Sequence, residues 1–324
     1  MRIWSFRNLL CLVAGLWFCM PMVHAQRKSD IRPFHIQHDF RNPDSWFQND
    51  TLFNKQRRRK VNLIAATGYS LATLYVGTQW YAKEDLSSFH FFDDSHEWKQ
   101  IDKVGHAFSA YNATRWMIGL YKWSGVPKRK AILHGSLVGF MAMNTIEVFD
   151  GFGATWGFSW PDVGANLIGT GLAAGNQALW NENRLQMKVS YVRSPYATNP
   201  DYQDIFGSNL AEWVLKDYNG QVLWMSCRVH SFLPAGRFKD LYPRWLNLAV
   251  GYGADGLVGG YEDPNGEWRT SEYRQWYLSL DIDVANIKTR SGFLNTLFDV
   301  VNIIRIPLPA IQFDRNGTKL LPLR

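Results

Sequence analysis

The sequence predicts an α+β protein: an antiparallel four-helix bundle of apolar helices followed by a small antiparallel β module. Four apolar segments, at about 61–81, 104–123, 131–149 and 162–180, are each long enough to span a bilayer or to form a buried bundle helix. Their connections are short except for 82–101, which favours antiparallel neighbours. From about residue 187 the apolar period falls towards two, and Gly, Pro, Asn and Asp mark the breaks.

In chain order, residues 1–25 read as a secretory signal. Arg2 and Arg7 form its charged region, Leu9 to Met20 its apolar region, and Val23-His24-Ala25 a small-x-small cleavage site. Lipid attachment at Cys19 is the alternative, but Trp17 and Phe18 stand where that chemistry takes small residues. Cys11 and Cys19 leave with the signal, so the mature chain keeps Cys227 alone and has no internal disulfide. Residues 26–60 form a polar lead-in that ends in Arg57-Arg58-Arg59-Lys60. A cleaved signal leaves those charges outside the cytoplasm, against the positive-inside bias. Either the signal is not cleaved or the helices do not cross the inner membrane; the second is favoured, with the helices packed at, or partly in, an envelope membrane from the periplasmic side and the outer membrane one candidate.

Residues 61–186 carry the bundle, and small residues such as Gly169-x-x-x-Ala173 and Gly171-x-x-x-Gly175 would let its helices approach closely. Residues 187–324 carry the β module. Its strands are expected at Met187–Val192, Val222–His230, Trp245–Tyr252 and Tyr273–Val284, with a short helix at about 291–303. A last pair, Ala310–Phe313 and Lys319–Leu323, turns at Asn316-Gly317. Gly251-Tyr252-Gly253-Ala254-Asp255-Gly256 reads as strand and turn, and Asp263-Pro264-Asn265-Gly266 as a further turn. About six strands are too few for an outer-membrane barrel of eight or more.

Net charge is +7, falling by two to +5 once Arg2 and Arg7 are removed. Export argues against a nucleic-acid partner. The clusters Lys55 to Lys60 and Lys128-Arg129-Lys130 suit lipid headgroup phosphates, or simply solvated loops. An aromatic content of 15% with a mean hydropathy of −0.24 describes a chain partly at a membrane interface and partly in water.

Ionisable groups at the ends of apolar helices are costly to bury and need a partner, a ligand or a wet cavity. Asp102 and His106 are spaced i,i+4 at the start of the second segment, as are Asp162 and Asn166 at the start of the fourth. Asn144 and Glu147 close the third. Antiparallel order brings these three helix ends to one mouth, so Asp102, His106, Glu147 and Asp162 are candidate catalytic residues. Lys103, Asp150, Ser159 and Asn166 are candidate ligand-binding groups. Each also has a structural reading: Asp102 as an N-cap, Pro161-Asp162 as a helix opening, Lys103 or Arg115 as a neutralising cation. Three carboxylates and an imidazole suit general acid–base work or a divalent metal equally. His134 belongs elsewhere, and no Gly-rich phosphate loop, CxxC, HExxH or GxSxG motif is present.

The residues Asp102-Lys103-x-x-His106, Glu147-x-x-Asp150-Gly151, Gly157-Phe158-Ser159-x-x-Asp162 and Asn166-x-x-Gly169 carry a resemblance. With Tyr273 to Asp283 and Ile306 to Pro309, they resemble the YfiM-related family of exported envelope proteins of unknown function, in its long Bacteroidetes-type form, over about 60–324. More distantly the pattern is similar to VanZ-like membrane proteins, from which this chain departs in its export signal, its β-rich half and its modest hydropathy. The resemblance implies an envelope protein on the periplasmic side, with a structural or ligand-binding role towards lipid or cell-wall components. The alternative is a hydrolase or transferase acting on a lipid or glycan.

Overall fold

The computed structural model describes residues 52–79, 85–260, 271–287 and 289–323. The expected signal at 1–25, most of the polar lead-in and the turn at 263–266 lie outside them. Everything described belongs to one compact unit, Phe47–Arg324.

Four long helices come first: α1 (Lys55–Gln79), α2 (Ile101–Trp123), α3 (Lys128–Asp150) and α4 (Trp160–Gly175), the last extended by one wide π turn, Asn176–Trp180. The basic run Lys55–Lys60 forms the opening turns of α1 rather than a lead-in to it. Helix α2 is the hub, packed closely against α3 and α4. Where α2 meets α4, a Cβ on Gly169 would lie 2.0 Å from the Ala107 carbonyl oxygen, so only glycine permits that approach. Gly171 and Gly175, the other small-residue pair, face open space instead.

Helix α1 joins this trio more loosely. Asn54 N donates to Ser124 O (3.0 Å), Tyr69 Oη to Thr145 Oγ1 (2.9 Å), and Arg57 lies over the Trp123 ring. Leu63, Ile64, Leu71 and Leu74 on α1 stay exposed. The α+β class and the antiparallel sheet hold, while the closely packed helical core is made by α2, α3 and α4. Among the described residues, α3 is the helix long and apolar enough to cross a membrane by length and composition.

The second half forms one six-stranded antiparallel meander in sequence order. Its strands are β1 (Leu185–Tyr191), β2 (Gln221–Cys227), β3 (Leu246–Asp255), β4 (Tyr273–Ile282), β5 (Ala310–Asp314) and β6 (Gly317–Leu321). The expected last hairpin is present, with Asp314 paired to Gly317. Helix α5 (Gly292–Val301), capped by Ser291, occupies the predicted position before β5. The segment leading from α5 into β5 also hydrogen-bonds the free edge of β1, through Val189 N to Ile303 O (2.9 Å) and Arg305 N to Val189 O (2.8 Å). This single bridge ties the segment before β5 to the β1 edge of the sheet.

The buried face of the sheet carries polar groups beside an apolar cluster of Val222, Trp224, Ala249, Tyr277 and Ala310, and the opposite face is apolar and exposed. Alternate residues of a strand face opposite sides. The inward set includes Gln186, Lys188, Ser226, Asn247, Asp281 and Gln312, all buried. Lys188 Nζ pairs with Asp281 Oδ2 at 2.7 Å and also donates to Asn302 Oδ1, while the Arg305 guanidinium stacks 3.9 Å from the Trp224 ring centre. The outward set is apolar. Rows such as Met225–Val250–Leu278–Ile311–Leu320 cross the strands in register, and those side chains are exposed. Helix α2 covers only one end of this face, where Ile101, Val104 and Phe108 meet Leu223, Val189 and Tyr252.

Two further features shape the ends of the helices. A short β arm pairs Leu86 with Gly153 and Phe91 with Phe158, tying the segment before α2 to the α3–α4 connection. Its Phe89, Phe91, Phe158 and Trp160 rings pack together, with Phe91 and Trp160 well exposed. Just before α2, Trp98, Lys99 and Gln100 all adopt left-handed backbone angles, φ 50°, 50° and 62°. Left-handed geometry costs a non-glycine residue roughly 1–2 kcal/mol, so three in succession need support from their surroundings.

Candidate functional site

The start of α2, the end of α3 and the start of α4 meet at one end of the helical layer, as antiparallel order requires. Local sequence fixes each. Ser159 caps α4 by accepting from Asp162 N (3.1 Å), and Pro161 in the first turn needs no amide hydrogen there. Asp102 is not an N-cap: Gln100 occupies that position, and Asp102 lies inside the first turn with its carboxylate turned to Lys103 and Tyr218.

The centre of the cluster is Lys103. Its Nζ lies 2.6 Å from Asp94 Oδ2, 2.7 Å from Asp162 Oδ1 and 2.9 Å from Asp102 Oδ2. Burial opposes its charge, but Asp102 and Asp162 outweigh that and raise its pKa far above the usual lysine range. Asp94 also accepts from Ser159 Oγ at 2.6 Å. Arg115 takes no part; it pairs with Asp299 at 2.8 Å.

His106 stands on the far side of Asp102 and Asp162. Its Nε2 lies 3.9 Å from Asp102 Oδ1 and 4.0 Å from Asp162 Oδ1, too far for hydrogen bonds. Its Nδ1 is 3.3 Å from Glu147 Oε1, and neither of those two atoms has a well-aligned hydrogen-bond partner. Glu147 is only 1% exposed. Burial, then Asp162, Asp150 and Asp102, push its pKa up to about 10, so it holds its proton at neutral pH. Burial raises Asp162 to about 6 despite His106 and Lys103. Burial acts the same way on Asp102, but there His106 and Lys103 prevail and hold it below the usual range.

Of the residues singled out in the sequence, Asp102, Lys103, His106, Glu147, Ser159 and Asp162 come together. Asp150 acts on Glu147 through its charge. Asn166 is fully buried one turn along α4 from Asp162, and both its side-chain polar atoms lack a hydrogen bond. Asn144 bonds back to Phe140 O, and His134 packs on Tyr121 instead of joining the site. Two participants were missed. Asp94 comes from the long 82–101 connection, and Tyr218 from the sheet half donates to Asp102 Oδ1 at 2.8 Å. Only the Asp and His content of 82–101 hinted at the first; nothing in the sequence pointed to Tyr218.

Three carboxylates around one ammonium leave a negative surplus beside His106. One oxygen each of Asp102 and Asp162 and one His106 nitrogen lie within 4.8 Å of one another. A divalent ion takes such ligands at about 2.0–2.2 Å, and the 3.9 and 4.0 Å separations of His106 Nε2 from the two carboxylate oxygens are compatible with that length.

A family model described as "Predicted periplasmic lipoprotein (DUF2279)" matches residues 90–177. The matched stretch runs from before Asp94 to beyond Asn166 and excludes the sheet. It agrees with the resemblance read from the sequence at the level of an exported envelope protein. No curated protein and no solved structure matches the chain.

Proposed function

We propose that this chain is a periplasmic-side, membrane-associated envelope protein whose helix-end cluster binds a divalent transition-metal ion, with a structural or ligand-binding role towards lipid or cell-wall components. The observation that carries the metal reading is the setting of His106. One ring nitrogen faces Glu147, while the other faces two carboxylate oxygens at distances that suit an intervening ion and not a hydrogen bond. Metal-bound histidines commonly hand their second N–H to a carboxyl group, which fixes the ring and its tautomer. Asp102, Asp162 and His106 would be the ligands and Glu147 the orienting group. The mixed N/O set favours zinc, manganese or iron over calcium. The ion would also cancel the surplus negative charge that Lys103 leaves uncompensated.

The envelope placement draws on the family description and on the signal-like N-terminus, which also suits the YfiM-related likeness. Lipid or glycan chemistry would need the ion to meet a substrate. We take binding as the function, since the separations around His106 speak for an ion and not for a substrate.

The test is metal analysis of protein purified without an affinity tag of histidines, followed by titration with zinc and manganese. One tightly bound ion per chain is expected. His106→Ala and Asp162→Asn should abolish it, and Glu147→Gln should weaken it by about 10- to 100-fold. Binding no tighter than millimolar, or binding indifferent to His106→Ala, overturns the metal reading. Recovery of the protein in the soluble periplasmic fraction at low salt overturns the membrane association separately.

A further inference from the structure

A second site lies where α2 leaves the outer face of the sheet. An apolar groove of about 420 Å³ runs between Val104 of α2 and the outward side chains Leu223, Met225, Val250, Tyr252 and Trp276. Its polar end is formed by Gln100 and Arg274. Those same two residues line an adjoining polar pocket of about 180 Å³, completed by His96, Trp98, Lys99 and Glu272. The two cavities therefore share a wall, greasy on one side and hydrophilic on the other.

Among the described residues lining that wall, Lys99, Glu272 and Arg274 sum to one positive charge. Lys99 is neutralised by Glu272 at 3.0 Å. Arg274 donates to the neutral Gln100 side chain, and among the described residues no carboxylate pairs with it. The wall is also the strained part of the backbone, since Trp98, Lys99 and Gln100 are the three consecutive left-handed residues. That conformation is held from outside the segment. Tyr252 Oη donates to Lys99 O, the Trp98 ring lies edge-on to Tyr218, and a Cβ on Gly260 would come within 2.5 Å of Trp98 Nε1. Backbone strain supported in this way is characteristic of ligand clamps.

We infer that this paired cavity binds one single-chain anionic amphiphile from the envelope, its acyl chain along the groove and its acidic headgroup on Arg274. The volume falls within the range of small-molecule sites, and a mostly apolar lining with a few polar groups at one end is their usual composition. Burying an apolar chain against exposed Met225, Val250 and Trp276 removes apolar surface of both partners from water. A guanidinium with no carboxylate partner among the described residues selects an anionic head over a neutral or cationic one. The inference deepens the envelope-lipid reading by naming a place and a ligand class, and it rests on that reading only for the source of the amphiphile.

The experiment uses full-length mature protein and a dansyl-labelled undecanoate, competed with palmitate, below their micelle concentrations. Saturable binding is expected, with palmitate displacing the probe. Val250→Trp and, separately, Met225→Trp should fill the groove and weaken binding at least tenfold. Arg274→Gln should weaken binding of the anionic probe about tenfold while leaving its methyl ester unchanged. Thermal melts of each variant establish that it is folded; Arg274→Gln, at an exposed position, keeps the test open should a tryptophan variant fail to fold. Unsaturable binding, or folded variants that bind like the parent, overturns the inference. So does loss of binding on dimerisation through this face, which would make a second copy the occupant. Binding of monomeric amphiphile by a protein found in the soluble fraction would sink membrane association and leave this site standing.

Discussion

Replacing Lys103 by methionine keeps the side chain's bulk and removes the one ammonium among Asp94, Asp102 and Asp162, each within 2.9 Å of it. The lysine is largely buried, with 13% of its side chain exposed. The carboxylates left behind would face one another without that counter-charge. Breaking a buried pair in this way costs about 3–5 kcal/mol, most of it the penalty of stranding the partner. For a folded unit of this size each kcal/mol moves the melting temperature by roughly 2–4 °C, so a fall of roughly 6–20 °C is expected. Differential scanning calorimetry and urea denaturation of parent and variant in chelator-containing buffer measure it. The double variant Lys103→Met/Asp162→Asn should recover part of the loss by removing one repelled charge. In excess zinc the single variant should recover more than the parent gains, because the added cation occupies the same field. A cost below about 1 kcal/mol in chelator would refute the reasoning, since Lys103 would then be a solvated surface cation whose contacts carry little energy.

Inside the sheet, Lys188→Met should cost about 3–5 kcal/mol by stranding Asp281, whereas Lys188→Met/Asp281→Asn should restore most of it; paired urea titrations decide. Gly169→Ala should destabilise by about 1–3 kcal/mol through its clash with the Ala107 carbonyl, while Gly171→Ala, in open space, should stabilise by about 0.5–1 kcal/mol. Equal effects in melting experiments would sink the assignment of Gly169 to the helix contact. Burial, followed by Asp94, raises Glu97 from 4.5 to about 7, so between those pH values the folded chain holds a proton that the unfolded chain has lost. Its contribution to stability is therefore complete below about pH 4.5 and is lost as pH rises towards 7. Glu97→Gln should gain on the parent across that window by no more than about 1–2 kcal/mol, since the group is half exposed. A difference independent of pH would count against the shift.

Much of the architecture is written locally. The apolar lengths of α2, α3 and α4, the Ser159-Trp160-Pro161-Asp162 opening and the Asn316-Gly317 turn each act through nearest neighbours, and so could be read without tertiary information. Antiparallel connectivity then forces the start of α2, the end of α3 and the start of α4 to one level, which is why His106, Glu147 and Asp162 were legible as a group. Small-residue spacing was less reliable: Gly169 and Gly171 look alike in sequence, and only the position of α2 separates the contact from open space.

Long-range pairing decided the remainder. Asp94 reaches Lys103 because a β arm fastens its loop to the α3–α4 connection, and Tyr218 reaches Asp102 because the sheet packs on α2. Which side of the sheet faces inward was also undetermined by the strands themselves. A period of two assigns residues to two faces without saying which face is covered. That choice fell to contacts distant in sequence: Lys188 with Asp281 and Asn302, and Arg305 across Trp224. Together they satisfy the polar groups buried beside Trp224 and Tyr277, and Met225, Val250, Leu278 and Ile311 turn outward. Sequence determined the elements and the charged helix ends, because those depend on neighbours along the chain. Tertiary structure decided the additional carboxylate on Lys103 and the inverted sheet. Both depend on pairings between distant segments, and the two faces of a strand are equivalent until something packs against one.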